Sequence, residues 1–137
     1  MILRGEKRSE RGVRVSFCGI HTNQTNCFYV SVQRVNDKNR AVGGFVGGKV
    51  DVGETASEAI KREVLEEVGL KLVSYEFRGE FYLDGYLDFV FDSDQWDGLI
   101  KLDPAECEDF AWVTLNDIYN ERVNYPTTKV VGLIAPC

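Results

Sequence analysis

The stretch from Gly48 to Leu70, GKVDVGETASEAIKREVLEEVGL, constrains the fold more than any other part of this 137-residue chain. Thr55 and Glu58 have the spacing of a capping box, in which each side chain pairs with a backbone N–H that the first helical turn leaves unbonded. A helix is therefore predicted to begin near Ala56. Gly69 follows the last periodic residue, and its tolerance of left-handed backbone angles predicts that the helix ends there.

Apolar residues run along one side of the predicted helix. They recur every four positions, a spacing that keeps side chains on one face of an α-helix. The stripe consists of Ala56, Ile60, Val64 and Val68, with Ala59 and Leu65 widening it. We expect this stripe to seat the helix on the hydrophobic core.

Acidic residues are concentrated beside that stripe. Glu66 and Glu67 lie three and four positions after Glu63, so the three carboxylates share one face of the helix. Like charges at this spacing repel by a few tenths of a kcal/mol per pair, a penalty that a divalent cation would remove. Mg²⁺ prefers oxygen ligands, commonly one or two carboxylates with substrate phosphates and water. Arg62 can pair with Glu66, or it can orient Glu54 or Glu63. A solvated amphipathic face is the alternative interpretation of such a charged helix.

The same stretch resembles the Nudix box, G-x5-E-x7-R-E-U-x-E-E-x-G-U, where U is a bulky aliphatic residue. Every specified position is filled, by Gly48, Glu54, Arg62, Glu63, Val64, Glu66, Glu67, Gly69 and Leu70. One departure precedes the box, because Val46 stands where many members have proline. The resemblance implies an α/β (α+β) fold, the Nudix-type α/β/α sandwich with a mixed β-sheet between helices. It also implies divalent-cation-assisted hydrolysis of a nucleoside diphosphate linked to another group.

Roles for the box residues follow from the same resemblance. Three carboxylates are the implied metal ligands, Glu63, Glu66 and Glu67, and the ion is Mg²⁺, with Mn²⁺ as a substitute. The backbone carbonyl of Gly47 or Gly48 completes a coordination shell. Arg62 and Glu54 complete the implied catalytic set by orienting the ligands.

Family members often take one more acidic ligand or base from a loop after the box. The segment DPAECEDFAWV offers Glu106 as the first candidate and Glu108 as the second. A solvated acidic loop is the alternative, and the general base is left open among these acids and the box glutamates.

The implied substrate is a nucleoside or deoxynucleoside triphosphate, cleaved to the monophosphate and pyrophosphate. This choice rests on the C-terminal half, EDFAWVTLNDIYNERVNYPTTKV, which resembles that of small MutT-like enzymes. Substrate contacts are predicted for Lys49, Phe81, Tyr82, Asn124 and Thr127, with the aromatic residues stacking on the base. Core packing is the alternative role for those aromatic residues.

Other substrates and another functional class stay open. A nucleotide sugar, a dinucleoside polyphosphate, ADP-ribose or capped RNA would suit the same box. ADP-ribose is disfavoured because Gly85 stands where such members tend to have proline, whereas Tyr86 fits a tyrosine common in dinucleoside-polyphosphate hydrolases. A nucleotide-sensing module without activity is the alternative of another class, although such proteins commonly lose box glutamates.

The rest of the sequence predicts strands around this helix and a second helix at the end. Clusters of β-forming residues predict strands at 13–20, 27–35, 71–83, 86–92 and 110–114, and a short strand or extended segment at 41–45. Asp84-Gly85 has the composition of a hairpin turn. The second helix is predicted at 115–119, continuing at 127–134. No linker or repeat divides the chain, so residues 1–137 are predicted to form a single domain.

Composition excludes several classes of protein. A net charge of −6 and a pI near 4.8 make nucleic acid an unlikely partner, although the N-terminus is basic, either as a solubilising tail or as a substrate-phosphate contact. The four cysteines lack metal-site spacing and are predicted to be free thiols.

No apolar run approaches the ~20 residues of a membrane span, and no signal peptide is recognisable. We therefore expect a cytoplasmic protein that binds a small-molecule nucleotide, as a monomer or homodimer.

Overall fold

The computed structural model describes residues 11–22, 27–34, 44–114 and 116–117. In chain order their elements are β1 (Gly12–Thr22), β2 (Cys27–Arg34), β3 (Val46–Lys49), α1 (Ala56–Val68), β4 (Lys71–Leu83), β5 (Tyr86–Asp97) and β6 (Cys107–Val113). The six strands form one mixed sheet, which confirms the predicted fold class. Within the described ranges, no helix combines the length and apolar character that crossing a bilayer requires.

Strand β1 organises the sheet because it pairs with three other strands. The strand order is β4-β5-β1-β2-β6, and β3 also pairs with β1. β5 runs parallel to residues 12–19 of β1, whereas β3 pairs antiparallel with residues 14–17 and β2 with residues 20–22. β3 and β2 therefore share the edge of β1 that lies opposite β5.

The short strand or extended segment predicted at 41–45 is described only at residues 44 and 45. The observed strand is β3, at 46–49, and the preceding Gly44 makes only an isolated bridge to Val32. Residues 41–43 lie outside the described ranges. Backbone pairing with β1 makes residues 46–49 a strand, although glycine at 47 and 48 has low strand preference.

Three other strands are longer than predicted, and the first is β1, which spans Gly12–Thr22 instead of 13–20. β5 continues to Asp97 because β4 supplies backbone partners as far as Lys71, and β6 begins at Cys107 because it pairs with Arg34 of β2. The acidic residues in both extensions have low intrinsic strand preference, which backbone pairing overrides. Of the second predicted helix, the structure describes only residues 116 and 117, both helical.

The ends of α1 confirm the predicted capping signals. The Thr55 side chain accepts from the Glu58 backbone N–H at 3.0 Å, and the Glu58 carboxylate accepts from the Thr55 N–H at 2.8 Å. Gly69 ends the helix with a left-handed φ of 73°, and its N–H donates to the Leu65 carbonyl. Both termini thus satisfy backbone groups that a helix leaves unbonded.

The apolar stripe of α1 packs on the sheet, with one exception. Ala59, Ile60, Val64 and Val68 are buried against Val15 and Phe17 of β1. Leu65, which was predicted to widen the stripe, is 54% exposed. At 3.6 residues per turn, Leu65 lies about 140° around the helix from Ile60, whereas Glu67 lies only about 20° from it. The carboxylate, not the leucine, therefore completes the buried face.

The β4–β5 hairpin turns through Asp84 and Gly85, as predicted. Leu83 pairs directly with Tyr86, which leaves a two-residue loop with φ values of 54° and 84°. Positive φ at both positions is the type I′ geometry that matches the twist of the flanking strands.

Strand register assigns side chains to two faces of the sheet, because directly paired residues point the same way. Val15 and Phe17 face α1. Arg14 alternates with them and therefore points to the opposite face, where it pairs with Lys49 on β3 and Asp88 on β5. We call this second side the distal face.

Asp88 is a buried carboxyl group on the distal face. It is 8% exposed, its Oδ2 accepts from the Ser16 hydroxyl at 3.1 Å, and its Oδ1 has no hydrogen-bond partner. Burial raises the pKa of Asp88 to about 6, although Ser16 and Arg14 oppose the shift. The ionised form is therefore strained by desolvation at neutral pH.

We predict that Asp88→Asn gains stability relative to the parent protein as the pH rises. The raised pKa of Asp88 means that its favourable contribution is complete below the unfolded value and is lost as pH rises through about 6. The free energy of unfolding of Asp88→Asn, measured with urea and compared with that of the parent protein, should rise by about 1–2 kcal/mol between about pH 5 and pH 8. The exposed Asp94→Asn is the control. An equal shift in both variants would contradict a role for burial.

Candidate active site

Arg62 is the centre of the acidic cluster. Its Nε and Nη2 donate to both oxygens of Glu54 at 2.8 and 2.9 Å, a bidentate arrangement. Its Nη1 donates to Glu63 at 2.7 Å and to Glu66 at 3.2 Å. All three pairings that the sequence left open are thus made at once. The planar guanidinium suits this role because it presents several donors in a fixed geometry.

The loop before α1 is held by the same arginine. Nη2 also donates to the Lys49 carbonyl at 3.0 Å and lies 3.5 Å from the Asp51 carboxylate. A turn links Asp51 to Glu54 through a backbone hydrogen bond, with Gly53 at a φ of 82°. Asp51 was not among the predicted site residues, because its spacing from the box acids carries no helical signal.

Glu54 and Arg62 stabilise each other in their ionised forms. Hydrogen bonds from Arg62 and from the Asp51 backbone lower the pKa of Glu54 to about 2. The same contact with Glu54, followed by that with Glu63, raises the pKa of Arg62 despite partial burial. Glu54 and Arg62 therefore keep their charges throughout the physiological pH range.

Gly48 lies directly against the Glu63 carboxylate. A Cβ at position 48 would come within 2.4 Å of Glu63 Oε2, and a Cβ at Gly47 would meet the Val15 carbonyl oxygen at 2.3 Å. No side chain fits at either position without movement. The two glycines thus let the β3 backbone approach β1 and the helix carboxylate together.

The three helix glutamates occupy different environments. The side chain of Glu63 is 13% exposed and that of Glu66 is 55% exposed. Glu67 is only 3% exposed. The exposure of the three carboxylates thus increases from Glu67 through Glu63 to Glu66.

The acidic loop after β5 docks on the end of α1. The Asp103 N–H donates to the Glu67 carbonyl, and the Lys101 N–H donates to the Val68 carbonyl. Glu106 is exposed and donates its backbone N–H to Asp103. The fold therefore brings the loop that carries Glu106 to the helical turn that carries Glu67.

The predicted substrate contacts fall in different places. Lys49 and Phe81 both lie on the distal face, since Phe81 pairs with Asp88. Tyr82 pairs with Leu87 and therefore points to the α1 side. Asn124 and Thr127 lie outside the described residues.

Lys49 belongs to a cationic cluster that spacing did not reveal. Its Nζ lies 5.5 Å from the centre of the Tyr86 ring, and the guanidinium carbons of Arg11 and Arg14 lie at 5.2 and 5.6 Å. These residues come from three strands or their ends, so only the sheet register brings them together. We call Arg11, Arg14, Lys49 and Tyr86 the cationic cluster.

Comparison with known proteins identifies the family. Residues 10–131 match the profile of the NUDIX domain. The chain belongs to the Nudix family. Nucleoside triphosphatase NudI of Escherichia coli (strain K12 / DH10B) is 31% identical over 102 residues, covering 64% of this chain and 72% of the relative. The predicted resemblance is confirmed. The chain is a Nudix hydrolase, an enzyme that hydrolyses phosphoric anhydrides.

Solved structures share the fold at lower identity. A MutT NUDIX hydrolase from Burkholderia pseudomallei has a TM-score of 0.77 and 19% identity, over 90% of this chain and 98% of the other. The NUDIX domain of Shewanella oneidensis NrtR, complexed with ADP ribose, has a TM-score of 0.75 and 14% identity, over 89% and 84%. These likenesses support the fold assignment.

Nudix hydrolases generally use divalent metal ions, and the donor chemistry of this site fits one. The acids offer hard carboxylate oxygens, and the Cβ that Gly48 lacks would fill the space beside Glu63. Across the described part of the chain, no three acidic, cysteine or histidine side chains converge as metal ligands. Arg62 explains this arrangement, because Glu54, Glu63 and Glu66 gather around its guanidinium.

We predict that Gly48→Ala impairs hydrolysis by displacing the Glu63 carboxylate. The added Cβ cannot occupy its position 2.4 Å from Glu63 Oε2, so the contact with Arg62 must change. Turnover at a limiting concentration of divalent metal ion should fall by about tenfold or more, the scale expected when residues that orient metal ligands are altered. Val52→Ala, in the same loop but fully exposed, is the control. Normal turnover in Gly48→Ala at a low concentration of divalent metal ion would show that the position of the Glu63 carboxylate does not matter for hydrolysis.

Proposed function

We propose that this Nudix hydrolase is an Mg²⁺-dependent pyrophosphohydrolase that cleaves a nucleoside or deoxynucleoside triphosphate to the monophosphate and pyrophosphate. The observation that carries the proposal is a complete box, with its acids gathered around Arg62, in a chain 31% identical to a nucleoside triphosphatase. A water molecule attacks a phosphorus of the anhydride that joins the α- and β-phosphates. The bond from that phosphorus to the bridging oxygen breaks, and the monophosphate and pyrophosphate are released.

The box glutamates are the proposed metal ligands. Glu63, Glu66 and Glu67 would hold Mg²⁺, which offsets the negative charge that develops on the phosphate oxygens. A carbonyl of the Gly47–Gly48 segment is the proposed backbone ligand. Glu67 lies within the buried stripe, so its carboxylate is fixed by packing rather than by solvent.

Arg62 and Glu54 act as positioning residues in this proposal. The bidentate pair fixes the guanidinium, which in turn fixes Glu63 against Gly48. A carboxylate of the site accepts the proton of the attacking water. Glu106 is a candidate for this role or for a further ligand, because its loop docks beside Glu67.

Substrate recognition is proposed for Lys49 and Phe81 on the distal face, and for Asn124 and Thr127. Tyr82 is a weaker candidate because register directs it to the α1 side. We further propose that residues 1–137 act as a single cytoplasmic domain, as a monomer or homodimer, with Mn²⁺ able to replace Mg²⁺.

A nucleotide panel tests the substrate. With Mg²⁺, nucleoside triphosphates should release pyrophosphate and the monophosphate faster than nucleotide sugars, dinucleoside polyphosphates, ADP-ribose or capped RNA are cleaved. Chelation of divalent ions should abolish the activity. Preference for any other compound would reassign the substrate, and release of inorganic phosphate instead of pyrophosphate would contradict the cleavage position.

Neutralising single glutamates of α1 tests whether they are the metal ligands. Glu66→Gln and Glu67→Gln should each lower turnover by orders of magnitude, because each removes a charge that the metal needs, while the melting temperature without metal holds or rises slightly. Glu80→Gln, an equal change of charge on the exposed part of β4, should retain turnover. Near-normal turnover in both helix variants would argue against the ligand assignment.

A further inference from the structure

The cationic cluster holds three positive charges around one phenol ring in a protein of net charge −6. Because each charge lies between 5.2 and 5.6 Å from the ring centre, all three fall within about one Debye length of one another at 0.1 M salt, ~10 Å. Their mutual repulsion is therefore only weakly screened.

Acidic side chains do little to compensate these charges. Among the described residues, the ion pairs involve Arg62 and Arg78, and none includes Arg11, Arg14 or Lys49. Asp88 lies beside the cluster, paired in register with Arg14, and with its pKa at about 6 it carries a negative charge at neutral pH. Asp88 alone offsets only one of the three positive charges, so the described residues leave an excess of positive charge here.

The members of the cluster are held in place by the fold. Arg11 donates its backbone N–H to Gly85 and its side chain to the Asp84 carbonyl, which ties it to the β4–β5 turn. Lys49 hydrogen-bonds the Tyr86 hydroxyl, and this contact lowers the pKa of Tyr86. The side chains of Arg11 and Lys49 are exposed and those of Arg14 and Tyr86 half-buried, so an anion can reach them.

The position of the cluster links it to the active site. Lys49 follows Gly48 directly, and its carbonyl accepts from Arg62. Gly48 meets Glu63 on the α1 side of β3, while the Lys49 side chain points to the distal face. Consecutive residues of β3 therefore contact the acidic cluster on one face of the sheet and the cationic cluster on the other.

We infer that Arg11, Arg14 and Lys49, arranged around Tyr86, bind the terminal phosphates of the substrate and so select a triphosphate over a nucleotide that carries a sugar in place of its terminal phosphate. This inference rests on the proposed triphosphatase function and extends it to the pyrophosphate part of the substrate. Charged donors bind phosphate oxygens by strong hydrogen bonds, and Arg matches their geometry. A sugar or ribose in that place would leave the cations uncompensated.

Steady-state kinetics test the selection. For Arg11→Gln and Arg14→Gln, KM for a nucleoside triphosphate should rise roughly tenfold each, the scale of one charge-assisted hydrogen bond, with kcat changed much less. KM for a nucleotide sugar should not change. Lys61→Gln is the matched control, because Lys61 also lies over a tyrosine ring, at 5.7 Å from Tyr75, but outside the cluster. An unchanged KM for the triphosphate in both arginine variants would overturn the inference.

Direct binding separates this inference from the proposed function. Calorimetry with pyrophosphate, in buffer without divalent ions, should show binding to the parent protein that weakens with salt and falls roughly tenfold in Arg14→Gln but not in Lys61→Gln. If triphosphates are not hydrolysed but pyrophosphate still binds in this pattern, the proposed triphosphatase function is wrong and phosphate binding by the cationic cluster is supported. If triphosphates are hydrolysed but the parent protein does not bind pyrophosphate, the proposed function is supported and phosphate binding by the cationic cluster is contradicted.

Discussion

The site depends on the hydrogen bonds and ion pairs made by the guanidinium of Arg62. Carboxylates three and four positions apart on one helix repel one another, and a divalent ion was expected to relieve that repulsion. In the structure, Arg62 already relieves the repulsion between Glu63 and Glu66 by pairing with both, and it also pairs with Glu54. The same guanidinium ties the middle of α1 to β3 through the Lys49 carbonyl. One cation thus organises the acids and anchors the loop that must lie against them.

The close approach of β3 is the second constraint, and glycine makes it possible. Gly47 meets the backbone of β1, and Gly48 meets the carboxylate of Glu63, so neither position accepts a side chain. β3 therefore forms a thin partition with the acidic cluster on one side and Lys49 on the other. A substrate with an anhydride at the acids and phosphates at the cations would span that edge, which is why the two sites are interpreted as one binding surface.

Much of the fold was predictable because its signals are local. The capping box at Thr55, the helix stop at Gly69 and the Asp84-Gly85 turn depend on a few neighbouring residues, and all three are confirmed. Strand limits were less predictable, because they depend on which backbone lies alongside. β3 forms through two glycines, and β5 runs on to Asp97, since a partner strand supplies hydrogen bonds that residue preference does not report.

The sequence by itself determined the family, the helix and the set of acids, since the box is contiguous and its spacing converts directly into positions on one helix. Only the tertiary structure decided that Glu67 completes the buried face in place of Leu65, and that Phe81 but not Tyr82 points to the distal face. It alone assembled the cationic cluster around Tyr86. Those outcomes depend on the register between strands distant in sequence, where a shift of one residue reverses every side chain, and no local pattern encodes that register.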